Sequence, residues 1–237
     1  MSAPILSFDL FDFLCTGHVA SPDVFNPTKL STDQWLSAAS SFGAKHAILT
    51  VDHVSGFLLW PTQTDYYYSV KNTEWRNKTA DVALEFVQSC KKFGIKHGFF
   101  YSVHENWYMD IDNFKATDAA AQAVYNHLAE EHMKELFDPK SKYANPFIMW
   151  FDAGIIPGIS PKIGPILRTL GNNTICMQCP TFAGNQGVRW VGNEMAVAPL
   201  PLWYAVPAGK CFWNEAYSGM SCFVCQSVIE SDLQCFT

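Results

Sequence analysis

Four times in its first 170 residues the chain passes from a short apolar run to a stretch with helical spacing. The apolar runs are residues 5–11, 46–51, 97–102 and 147–152, and each is short enough and continuous enough to be a strand buried on both faces. Between them Ser31-Thr32-Asp33-Gln34 has the form of a capping box. Trp35, Leu36 and Ala39 follow at helical spacing, and Gly43 supplies a stop. Residues 81–93 carry Val82, Leu84, Phe86, Val87 and Cys90, put Lys91 and Lys92 in the last turn and stop at Gly94. Residues 118–137 repeat the pattern with Leu128, Met133 and Leu136, and residues 161–170 repeat it in shorter form before Gly171. Such alternation predicts an α/β fold in which helices cover a parallel sheet. No G-x-G-x-x-G or G-x-x-x-x-G-K-[ST] follows the first strands, so a nucleotide-binding open sheet has no phosphate loop, and a (β/α)8-type barrel is the expected architecture. After Thr174 the alternation blurs, with short strands expected at 175–177 and 188–191.

Composition narrows the function classes. Only 16% of residues are charged while 49% are apolar, so the chain must build a core, and 237 residues suit one domain over residues 1–237. A net charge of -6 lacks the basic surplus that a phosphate backbone demands, which argues against nucleic acid as a partner. No apolar window is long enough to cross a bilayer, so no membrane partner is expected, and the first residues show no signal-peptide pattern. Cys176/Cys179 and Cys222/Cys225 form two C-x-x-C pairs, but the 42 residues between them are too many for a zinc ribbon. Buried or disulfide-bonded cysteines, with no metal, are the expectation. The sequons at Asn77 and Asn172 fit a protein of the secretory pathway.

In a parallel barrel the reacting groups stand at the C-terminal ends of the strands. Asp52-His53, Tyr101-Ser102 and Asp152 occupy those ends here. Asp152 closes an otherwise apolar and aromatic run and is the foremost catalytic candidate; the bland alternative is a turn cap before Gly154. Glu194, shortly after the run ending at Val191, is the second carboxylate. Two such groups are what retaining glycoside hydrolysis requires, one as nucleophile and one as acid then base. Trp60, Trp107, Trp150, Trp190 and Trp203 could stack on sugar rings or fill core.

Phe25-Asn26-Pro27-Thr28, the run from Gly43 to Pro61, Thr64-Asp65-Tyr66, Asp81-Val82, the run from Gly94 to Ser102 and Trp150-Phe151-Asp152-Ala153-Gly154 occur in this order. Together they resemble the α-L-fucosidases of glycoside hydrolase family 29. The resemblance implies a (β/α)8-type (TIM-like) barrel acting on fucosylated oligosaccharides or glycoconjugates without metal or organic cofactor, secreted or lysosomal in its full-length form. It maps the nucleophile onto Asp152 and the acid/base onto Glu194, whose segment Arg189-Trp190-Val191-Gly192-Asn193-Glu194 resembles that of the subgroup cleaving α-1,3/1,4-linked fucose. Glu215 is the alternative acid/base, and His53, Trp60, Tyr101, Trp107 and Arg189 are the implied sugar contacts.

The departures from the family pattern bear on the sugar cradle. Where the family reads His-His-Asp-Gly-Phe, this chain has His53-Val54-Ser55-Gly56-Phe57, and Ser7 stands where the first strand carries a histidine. Family members also continue past the position of Thr237 to a last βα unit and a C-terminal β-sandwich, so an incomplete barrel is expected. The alternatives to an active fucosidase are a catalytically impaired glycan-binding relative and a truncated, non-functional isoform.

Overall fold

The computed structural model describes residues 19–152, 154–155 and 174–177, together with the backbone of 187–191, 213–216 and 225–226. The expected strand at 5–11, the helix at 161–170, Ser7 and Glu194 lie outside the described residues.

Local chemistry sets the helix ends as the sequence predicts. Helix α1 (Thr32–Ser41) starts at Ser31, whose hydroxyl accepts the Gln34 N–H at 3.3 Å, and Gly43 takes the left-handed conformation that follows it. Helix α2 (Val82–Phe93) is capped by Asp81, which accepts the Leu84 N–H at 2.9 Å, and ends in a left-handed Gly94. Helix α3 (Ala119–Phe137) is capped by Asp118 and buries Tyr125, Ala129, His132, Met133, Leu136 and Phe137, a spacing of three and four that forms one stripe.

The strands are β1 (His46–Asp52), β2 (Lys96–Ser102), β3 (Ile148–Asp152), β4 (Ile175–Met177), β5 (Gly187–Val191), β6 (Trp213–Ala216) and β7 (Cys225–Gln226). They form one sheet in the order β6-β5-β4-β3-β2-β1-β7. Strands β1 to β6 run parallel, each beside its predecessor, and β7 pairs antiparallel with β1 at Ile48 and Leu49. This is the expected α/β fold with a parallel sheet.

Period-two alternation splits each strand between two faces. Leu49, Val51, Phe99, Tyr101, Met149 and Phe151 join the α2 and α3 stripes in the main core, where Phe137 packs on both Phe99 and Phe151. Ile48, Ile148, Trp150 and Met177 form a smaller cluster on the opposite face, with Phe100 against it. Gly98 permits this second packing: a Cβ there would stand 2.3 Å from Ile148 Cγ2. At the end of β1 the register slips, because Thr50 faces Phe100 while Asp52 faces Tyr101. That bulge carries Asp52 to the helix-covered side, leaving its side chain buried.

Cys176, on β4, is disulfide-bonded and so is not a thiolate available to zinc. Among the described residues no three His, Cys, Asp or Glu side chains gather as a metal-ligand set.

Candidate active site

Asp152 ends β3 directly opposite Ser102 at the end of β2. Alternation puts both on the face opposite the helices, and about 30% of the Asp152 side chain is open to solvent. His104 leans on the carboxylate with Nδ1 3.3 Å from Asp152 Oδ2. The other ring nitrogen, Nε2, stands 3.3 Å from Glu105 Oε1. Ser102 Oγ is 3.5 Å from His104 Nδ1 and donates to the Glu105 carbonyl at 3.4 Å. A carboxylate, an imidazole and a second carboxylate therefore meet at the C-terminal ends of two adjacent parallel strands. His53 follows β1 onto the same face, its ring stacked on Phe100 with centroids 5.7 Å apart.

Backbone and side-chain bonds tie the loops after β1 and β2 together. The Trp107 N–H donates to the Val54 carbonyl at 2.8 Å, so Trp107 sits beside the position where the family pattern is altered. Tyr66 donates its hydroxyl to the Gly56 carbonyl at 2.7 Å and accepts from Asn106 Nδ2 at 3.0 Å. Gly56 has φ near +80°, and a Cβ on it would stand 2.4 Å from Asn106 Oδ1, so both the backbone and the space require glycine.

Two of the expected sugar contacts lie elsewhere. Tyr101 is fully buried among the helices, on the face opposite Asp152, with its hydroxyl 3.0 Å from His132 Nδ1. Trp60 is 1% exposed, packs its ring on Tyr101 and His132, and donates Nε1–H to Glu135 Oε2 at 2.8 Å. Neither offers a surface to a sugar at Asp152. The strand alternation explains Tyr101: in Tyr101-Ser102 it is the serine that turns toward Asp152. Arg189 lies on β5 and Glu215 on β6, whose backbones are parallel members of the sheet.

Sequence reasoning passed over His104 and Glu105. Neither ends an apolar run, so the rule that favours strand termini did not select them; the usable signal was two titratable residues within three positions of Ser102.

The helix-covered layer holds a separate polar network. His132 has a partner at each ring nitrogen, Tyr101 OH and, at 3.1 Å, Thr64 Oγ1. Burial lowers its pKa to about 3, so the ring is neutral. Asp52 is in this layer, where burial raises its pKa well above the usual carboxylate range. Among the described residues no donor reaches Asp52 Oδ1.

The α-L-fucosidase family model matches residues 14–163. The chain is similar to α-L-fucosidase 1 of Arabidopsis thaliana, with 31% identity over 78% of this chain and 34% of that protein. It is also similar to a crystal structure of a putative α-L-fucosidase from Bacteroides thetaiotaomicron VPI-5482, with TM-score 0.67, 33% identity and coverage of 79% of this chain and 43% of the other. A glycoside hydrolase 29 family member from an unknown rumen bacterium shares the fold with TM-score 0.62 at 23% identity, over 83% of this chain and 39% of the other. The chain spans about a third of the length of the first curated relatives it matches. With the family model covering more than half of its residues, the chain belongs to the α-L-fucosidases of glycoside hydrolase family 29.

Proposed function

We propose that residues 1–237 form one catalytic domain of (β/α)8 type that hydrolyses terminal α-L-fucose from oligosaccharides or glycoconjugates with retention of configuration. The observation that carries this reading is Asp152, a solvent-reachable carboxylate at the end of a parallel strand, held by His104 in a chain of this family. Asp152 attacks the anomeric carbon while Glu194 protonates the departing glycosidic oxygen; Glu215 is the alternative proton donor. Water, deprotonated by that same glutamate, then cleaves the fucosyl ester and frees Asp152. Retention calls for about 5–5.5 Å between the two carboxyl groups. His53, Trp107 and Arg189 are the remaining candidates for sugar contact. The reaction as drawn needs no cofactor.

Trapping tests the assignment directly. A 2-deoxy-2-fluoro-fucosyl donor with a good leaving group should add one fluorofucosyl mass to the peptide containing Asp152, and Asp152→Asn should abolish both labelling and turnover of an aryl α-L-fucoside. Turnover that survives Asp152→Asn sinks the nucleophile assignment. Loss on Glu215→Gln with retention on Glu194→Gln moves the acid/base role to Glu215.

The altered loop after β1 favours a second reading, a fucosylated-glycan binder without turnover. Val54 and Ser55 replace an imidazole and a carboxylate, and each lost bond to a sugar hydroxyl costs about 1–3 kcal/mol. Glycan binding without hydrolysis, measured by calorimetry on the same preparation, selects that reading.

A secreted or lysosomal setting is supported by the sequon at Asn77, which lies in an exposed turn. In the other sequon Thr174 is buried, donating to the Pro146 carbonyl at 2.7 Å. A mass loss at Asn77 on endoglycosidase treatment of protein from its native source tests the setting.

A further inference from the structure

We infer that His104 is the positioning residue for Asp152, with Glu105 fixing the imidazole from its far side; this rests on the proposed role of Asp152 as nucleophile. The two 3.3 Å contacts fall on the two different ring nitrogens, so the imidazole stands between two carboxyl groups. An imidazolium, or the neutral tautomer that carries its proton on Nδ1, presents an N–H to Asp152. With the proton on Nδ1, the ring engages Oδ2 of Asp152 and leaves Oδ1 to attack carbon. That donor also stabilises the carboxylate released when the ester is hydrolysed. The histidine is itself held: its carbonyl accepts the Phe114 N–H at 2.7 Å, the Phe114 ring lies 5.9 Å away, and Ser102 Oγ approaches Nδ1. Only about a fifth of the side chain is exposed, so the ring has little freedom to swing from the carboxylate.

Two amides dissect the bridge, since the asparagine nitrogen occupies roughly the place of Nδ1 and the glutamine nitrogen that of Nε2. His104→Ala should lower kcat on an aryl α-L-fucoside by about tenfold to a hundredfold with little change in KM, because misplacing a reacting group by about an ångström has that effect. His104→Asn should recover most of the loss and His104→Gln should not. Equal kcat in wild type and His104→Ala, or equal recovery by both amides, overturns the inference. A readout independent of turnover is the imidazole nitrogen spectrum of the full chain, in which Asp152→Asn should move the His104 Nδ1 resonance and Glu105→Gln the Nε2 resonance. If no variant nor the wild type turns over and these shifts appear, the positioning stands and the fucosidase reading falls; if they do not appear, the positioning falls.

Discussion

Asp52 faces Tyr101 across the β1–β2 ladder, one residue out of step with the pairing before it, and this slip turns a strand-terminal carboxylate away from the site. With burial raising its pKa, the folded protein holds the Asp52 proton more tightly than the unfolded chain does. The resulting stabilisation is complete below the ordinary carboxylate pKa of about 4 and is lost as pH rises through the folded value. Asp52→Asn should therefore raise stability at pH 8 by about 1 kcal/mol or more and change it little at pH 4. Urea midpoints at the two pH values check this; an equal shift at both would mean that ionisation is not the cost.

His132 works in the opposite direction. Its folded pKa of about 3 lies below the ordinary value of 6.5, so its contribution is complete above pH 6.5 and is lost as pH falls toward 3. The whole span is worth on the order of 5 kcal/mol. His132→Gln keeps amide donors and acceptors for Tyr101 and Thr64 without a titrating ring. Its urea midpoint should decline less than that of the wild type between pH 7 and 4.

Gly56→Ala should destabilise the fold by about 1–3 kcal/mol, from left-handed strain and from collision with Asn106 Oδ1. In the Asn106→Ala background the collision with Asn106 is removed and that with the Tyr66 hydroxyl, at 2.7 Å, stays, so the cost of Gly56→Ala should fall in part. Denaturant midpoints of the four proteins give this coupling, and strictly additive effects would show that the close approach is not the cause.

Trp60 and Trp107 should separate when both are tested. Trp60→Phe removes the donor to Glu135 and should lower stability by about 1–3 kcal/mol while leaving KM for a fucoside within about twofold. Trp107→Ala should raise KM. An increase in KM from Trp60→Phe with unchanged stability would return Trp60 to the sugar site.

The helices and central strands were legible because their signals are local. Ser31 and Gly94 each act on backbone groups within a few residues, and both ends formed where the sequence placed them; Asp81, read as the first helical residue, is the N-cap. The nucleophile candidate was legible for the same reason: Asp152 ends an apolar run. Which face a neighbouring side chain takes was not. Tyr101 and Ser102 are both polar strand-end residues, and only the register with β3 shows that the serine faces Asp152. Asp52 looked equally suited to the site until a bulge, which depends on pairing with β2, turned it over. His104 and Glu105 acquire meaning only from β3, more than forty residues later.

The order of strands also bears on how the chain is built. From β2 to β6 each strand lies beside the one synthesised before it, so a growing chain leaving the ribosome always finds its next neighbour already made. The seam between β2 and β3, where Ser102 meets Asp152, can close as soon as residue 152 has emerged. Pairing of Cys225 with Leu49 is the exception, since it must wait until 175 further residues have been added after Thr50.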